Sequence, residues 1–181
     1  MRDAPVGTVK AMMKASADPE AFAKQCAELD ATAASDPATF AELLARGCAA
    51  VVCVGMAVHR QNADVQKWGC CVLGRLAPFT SDDAGDALKQ ATAGAVEAVV
   101  AALRAHLFSV DVQEHGCAAL TKLTFKSSEN RTRACAVGAV DVVAACMRVH
   151  GANSPIVQEQ AWFLLGALGG TANAATSEAR A

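Results

Sequence analysis

The chain has 181 residues, a net charge of −2 and 53% hydrophobic residues. That length suits one domain, and the apolar content is ample for a core. Only 4% of residues are aromatic and none is tyrosine, so the surface is poor in the Trp, Tyr and Arg anchors that dominate binding energy. With no basic excess there is no global field to hold nucleic acid or an anionic membrane. The longest apolar stretches, 48–58 and 162–168, fall short of the roughly 20 residues that insertion across a membrane takes.

The N-terminus, Met1-Arg2-Asp3, carries no apolar signal core. Further along, one phrase recurs. Gly94-Ala95-Val96-Glu97-Ala98-Val99-Val100 opens a segment ending at His106 and returns, 44 residues on, as Gly138-Ala139-Val140-Asp141-Val142-Val143-Ala144, ending at His150. A looser copy, 47 residues upstream of the first, runs from Gly47 to His59. A period of this size marks a stack of small helical units.

In chain order, the first unit predicts helices over 6–15 and 19–31. The later units predict helices over 37–46, 48–59 and 63–77, then 84–93, 95–106 and 110–125, then 128–137, 139–150 and 155–168. Asp18, Asn62, Ser109 and Ser154 stand at equivalent positions and suit the N-cap, where a side-chain oxygen accepts from a free backbone N–H. Asp36, Asp83 and Ser127 form a second cap series. Pro19, Pro37 and Pro155 follow three of these caps at the first helical position, where a missing N–H costs nothing. Gly47, Gly94 and Gly138 mark corners between helices. Met12, Met56, Leu103 and Met147 form one expected core column, and Leu29, Leu73, Leu120 and Leu165 another. The tail from Gly169 is small and polar and is expected to be disordered. The domains are therefore 1–34 (an incomplete repeat), 35–80, 81–126 and 127–170 (full repeats) and 171–181 (tail).

None of the eight cysteines forms a CxxC pair. Cys26, Cys70 and Cys117 share one repeat position, where the fourth copy is read as carrying Ala161. Cysteine alternating with alanine on helices behaves as a small hydrophobe in a reducing, cytoplasmic compartment.

A short helix, a glycine and two longer helices in 44 to 47 residues resemble the armadillo repeat. Gly94-Ala95-Val96-Glu97-Ala98-Val99-Val100-Ala101-Ala102-Leu103 is similar to that family's opening, and Val112-Gln113-Glu114-His115-Gly116-Cys117-Ala118-Ala119-Leu120 to its third helix. Val157-Gln158-Glu159 and Val65-Gln66-Lys67 repeat the latter start. The resemblance implies an all-α fold, a right-handed α-solenoid of armadillo-like three-helix repeats whose third helices line a concave groove. The groove asparagines of the importin-α and β-catenin types are missing: Ala31, Arg75, Lys122 and Ala167 stand there. Binding of nuclear-localisation peptides is therefore not expected.

His59, His106 and His150 form a column. Equivalent residues on neighbouring units sit about 8–10 Å apart, whereas zinc draws its donors to about 2.0–2.3 Å. The expected role is bonding to free carbonyls at helix ends. No HExxH, GxSxG or phosphate-cradling loop is present, so neither enzyme chemistry nor a cofactor or metal is expected. Arg75 and Lys122 are equivalent and suit an anionic segment. Trp68 shares a column with Lys24, His115 and Gln160 and is a candidate exposed anchor. Trp162-Phe163-Leu164-Leu165 spread around the last helix and leave an apolar strip for association, including self-association. The expectation is a non-catalytic protein-binding adaptor or scaffold whose partner is another protein with an acidic or extended segment. The alternative is a structural subunit docking through the ends of the stack.

Overall fold

A computed structural model of the protein describes residues 4–83, 85, 86, 89 and 94–178, with side chains described over 7–83, 85, 86, 89 and 94–169. Among these residues the chain is all-helical, with no strand. The helices are α1 (Ala4–Ala15), α2 (Pro19–Ser35), α3 (Pro37–Ala45), α4 (Cys48–Val58), α5 (Ala63–Gly74), α6 (Ala77–Thr80), α7 (Ala95–Ala105), α8 (Val110–Phe125), α9 (Ser128–Ala136), α10 (Ala139–His150) and α11 (Pro155–Glu178). The expected helix over 84–93, and the helix start read at Asp83, lie largely outside the described residues.

Local chemistry sets most boundaries. Asp18, Asn62 and Ser154 accept from the backbone N–H of Glu20, Val65 and Val157 at 3.0, 3.0 and 3.1 Å. Asp36 and Ser127 do the same for Thr39 and Asn130 at 3.1 and 3.2 Å. Ser109 heads α8 without a side-chain cap bond. Three ends differ from expectation. Helix α2 continues to Ser35, because Ala-Thr-Ala-Ala-Ser holds nothing to stop it before Pro37, which forces Asp36 out of the helical region (φ −140°, ψ 83°). Helix α5 stops at Gly74 because the ring of Pro78 collides with the carbonyl four residues back. Helix α11 does not end at Gly169 but runs to Glu178, where a disordered tail over 171–181 was expected. Two glycines weaken a helix without breaking it, and the alanine-rich stretch that follows has no proline.

Gly47, Gly94 and Gly138 have φ of +84°, +87° and +76°, and no other described residue has a positive φ. Each starts the helix that follows it, Gly47 and Gly138 also close the one before, and α3 and α4 meet across Gly47 at 74°. A second glycine pair acts through space. A Cβ on Gly69 would sit 2.5 Å from Met56 Sδ, and one on its equivalent Gly116 would sit 2.6 Å from Leu103 Cδ2. The third helix of each of these repeats thus rests against the core residue of the second.

Met12, Met56 and Leu103, and likewise Leu29, Leu73 and Leu120, are buried. Met147 and Leu165, the last of each column, are only partly buried. The helices α2, α5, α8 and α11 pack side by side in that order. In the register that equates Val112 with Val157 and Leu120 with Leu165, Trp162 and not Ala161 stands at the Cys26, Cys70 and Cys117 position, while Ala161 matches Gly116.

Gly94→Val puts a β-branched residue in the left-handed region and is expected to cost at least ~1–2 kcal/mol. Gly7→Ala, at an exposed helical position open on all sides, is expected to stabilise by about 0.5–1 kcal/mol. Urea denaturation monitored by circular dichroism measures both.

Candidate functional site

The row α2–α5–α8–α11 presents one continuous face. Inter-helix bonds tie it together at regular intervals. The Arg75 guanidinium grips Asp30 through two bonds of 2.8 and 3.3 Å. Lys67 Nζ lies 3.2 Å from Asp111, and Ser154 Oγ donates to Glu114 at 2.7 Å. Each bond joins a third helix, or its cap, to the neighbouring one.

Several of the residues singled out in the sequence lie on this face. Trp68, read from the sequence as a candidate exposed anchor, is partly buried against the core, with Lys67 Nζ 5.2 Å from its ring centre. His115 is half-buried and donates from Nδ1 to its own helix at the Asp111 carbonyl, 2.8 Å away. Arg75 is not a free cation, because its fork is occupied by Asp30. Lys122 is exposed and has no ionic partner among the described residues. Trp162 and Phe163 stand apart from this centre, on α11. They are 62% and 46% exposed, with the Phe163 ring 6.0 Å from that of Phe125. Leu164 is buried and Leu165 half-buried, so the apolar strip is narrower than expected.

The centre of the face is Cys71. Burial first, then the charge of Asp30, pushes its thiol up to about 11, against the opposing pull of Lys67, Arg75 and Lys122. Two of these cations are already paired, Lys67 with Asp111 and Arg75 with Asp30, whereas Lys122 has no ionic partner among the described residues.

The histidine column is spent on structure in a way that position alone did not show. His59, His106 and His150 place Nε2 at 2.7, 2.8 and 2.6 Å from the carbonyls of Ser16, Arg60 and Leu107. Those three carbonyls are themselves equivalent, and each belongs to the loop of the preceding repeat. A carbonyl only accepts, so each Nε2 carries the proton. The expectation of bonding to free carbonyls at helix ends holds, but the bond crosses between repeats.

A glutamine pair escaped the sequence reading. Gln66 Nε2 donates to the Met56 and His59 carbonyls, both at 3.0 Å. Its equivalent Gln113 donates to Leu103 and His106 at 2.8 and 2.9 Å. These carbonyls end the second helices, where no intrahelical donor remains. The recurring Val-Gln four residues past each cap was the available signal. Asp82 was also missed. Its carboxylate accepts from the Ser128 N–H at 2.9 Å and the Ser128 hydroxyl at 3.0 Å, and these bonds hold it below the usual carboxylate range.

The Gln66→Leu variant strands a buried carbonyl and is expected to cost ~1–3 kcal/mol. Gln113→Leu is expected to cost less, because it also removes an amide oxygen that is already buried without a partner. Gln158→Leu, at the exposed fourth position, is expected to stay within about 0.5 kcal/mol. Chemical denaturation ranks the three.

Burial pushes the thiols of Cys26 and Cys48 up to about 12 from 9.0. A thiol raised in the folded state stabilises the fold fully below its unfolded pKa and loses that contribution as pH climbs toward the folded value. The urea midpoint is therefore expected to fall between pH 9 and 12. In Cys26→Ala/Cys48→Ala that decline is expected to be shallower.

The chain matches no protein-family model, no curated protein and no solved structure.

Proposed function

We propose that the chain is an armadillo-like stack of three-helix repeats, a right-handed α-solenoid. In this reading the third-helix row is a non-catalytic surface for an extended, acidic segment of another protein. What carries it is the exposed Lys122, without an ionic partner among the described residues, on the same row as the half-buried Trp68, because the two place positive charge and apolar contact on one surface. The regular glycine corners and the 44- to 47-residue period support the repeat architecture. Lys122, which has no counter-ion among the described residues, supplies the cation, and Trp68 the aromatic body. Arg75, already neutralised by Asp30, contributes position more than charge. The reading places the protein in a reducing, cytoplasmic setting, where its buried cysteines serve as small hydrophobes. A second reading, a structural subunit docking through an end of the row, draws on the exposed Trp162 and Phe163.

Selection from a random-peptide display library is expected to enrich acidic peptides. Their binding, followed by fluorescence anisotropy, is expected to weaken about tenfold or more in Trp68→Ala/Lys122→Glu, since an anchor of this kind carries over 1 kcal/mol. It is also expected to weaken as salt rises, because exposed charges are screened over about 8–10 Å. Enriched peptides that bind the variant equally well, or that carry no acidic residues, would overturn the proposal.

A further inference from the structure

A cavity of about 470 Å³ opens between the second helices α4 and α7, with Gln66 of α5 in its floor. Its α7 wall is a strip of alanines, Ala98, Ala101, Ala102 and Ala105, and Cys53 and Ala57 of α4 face it. Arg60 and Arg104 stand at the end where both helices finish. The equivalent places between the other repeats carry larger side chains. Between the third and fourth repeats, Val142, Cys146 and Val149 replace Ala98, Ala102 and Ala105, and Arg104 replaces Ala57. Between the first and second, Phe22 replaces Gln66, and its ring occupies the space over Gly55, the equivalent of Ala102. The cavity is therefore the product of small residues gathered at this one junction.

The walls select an apolar body. Gln66 spends both amide hydrogens on the Met56 and His59 carbonyls. Burial first, then the charge of Glu97, pushes the Cys53 thiol up to about 11, so it carries no charge at neutral pH. The strip from Ala98 to Ala105 is about 10 Å long at ~1.5 Å per residue, which suits a medium-length aliphatic chain. The arginine end selects an anion. No carboxylate lines the cavity among the described residues, and neither arginine belongs to an ion pair among them. Arg104 is held in place by Nη2, which donates to the Val137 carbonyl at 2.9 Å, whereas Arg60 is exposed. Carbonyls at the ends of the second helices would repel an anion, but Gln66 and Gln113 take them up.

We infer that this cavity binds a small aliphatic carboxylate, with its chain along the alanine strip and its carboxylate group at Arg60 and Arg104. A guanidinium matches a carboxylate through paired N–H bonds. A concave, mostly apolar site of about 300–1,000 Å³ with a few placed polar groups is the usual form of a small-molecule site. Burial of the chain supplies the driving force, and the arginines fix its direction. The inference does not depend on the binding role of the third-helix row, since Trp68 and Lys122 do not line this cavity.

Titration of octanoate into the isotope-labelled full chain, followed by amide NMR at neutral pH, tests it. The amides of Ala98, Ala101 and Ala105 are expected to shift and saturate. Octan-1-ol, the same chain without the charge, is expected to bind about tenfold or more weakly, the difference that charge-assisted bonds make. Arg60→Gln is expected to weaken octanoate about tenfold and to leave octan-1-ol unchanged. Ala101→Phe fills the cavity from its exposed rim and is expected to abolish binding of both, with an unchanged circular dichroism spectrum. Octanoate that shifts none of these amides at any concentration below its micelle threshold overturns the inference, as do shifts confined to other parts of the chain. Equal affinity for octan-1-ol and octanoate overturns the carboxylate. Octanoate affinity unchanged in Arg60→Gln overturns the placement of its charged end, and binding that survives in a folded Ala101→Phe overturns the cavity.

Discussion

The close approach of successive third helices governs the rest of the structure. Helices α2, α5, α8 and α11 lie side by side, and small residues allow it. Gly74 lies against Ala119, and Cys70 faces Gly116. Within a repeat, Gly69 and Gly116 let the third helix settle onto Met56 and Leu103. Larger residues at these places would hold the helices apart and open voids, and a void forfeits the many small dispersion contacts from which a core draws its cohesion. The abundance of alanine, glycine and cysteine, which looks uninformative as composition, is the condition for this packing.

Polar bonds then fix each repeat relative to the next. The three histidines reach back to equivalent loop carbonyls of the preceding repeat, and Asp82 reaches forward to the start of α9. Gln66 and Gln113 complete the ends of the second helices within their own repeats. Each net bond is modest, about 0.5–1.5 kcal/mol. Their greater effect is selective: a shifted stacking register would leave these buried groups without partners, at a higher cost than the bonds return. The salt bridges on the face contribute less. Arg75–Asp30 is partly exposed, with side-chain exposures of 40% and 18%, and pairs of that kind are worth at most about 1 kcal/mol. They neutralise Arg75, whereas Lys122 has no ionic partner among the described residues.

The histidine column shows why position decides more than residue type. The spacing of the units argues against a shared ligand, and in the fold each histidine bonds a carbonyl of the preceding repeat. Charge follows the same pattern. Arg75 and Lys122 are equivalent in sequence, but Asp30 lies beside Arg75 and no carboxylate pairs with Lys122 among the described residues.

Sequence alone determined the helical class, the period and most of the helix starts, because caps, prolines and positive-φ glycines act within a few residues of themselves. Gly47, Gly94 and Gly138 are legible for that reason, as are Asp18, Asn62 and Ser154. It also located the face, since Trp68, Arg75, His115 and Lys122 fall in register. Only the tertiary structure decided which of those residues are free to act. The pairing of Arg75 with Asp30 joins residues 45 positions apart, and the half-burial of Trp68 and the burial of Leu164 beside the exposed Trp162 depend on which neighbouring helices they meet. Local sequence carries no information about such distances. It names the helices and their caps, whereas the partner of each side chain is set by how closely neighbouring helices approach.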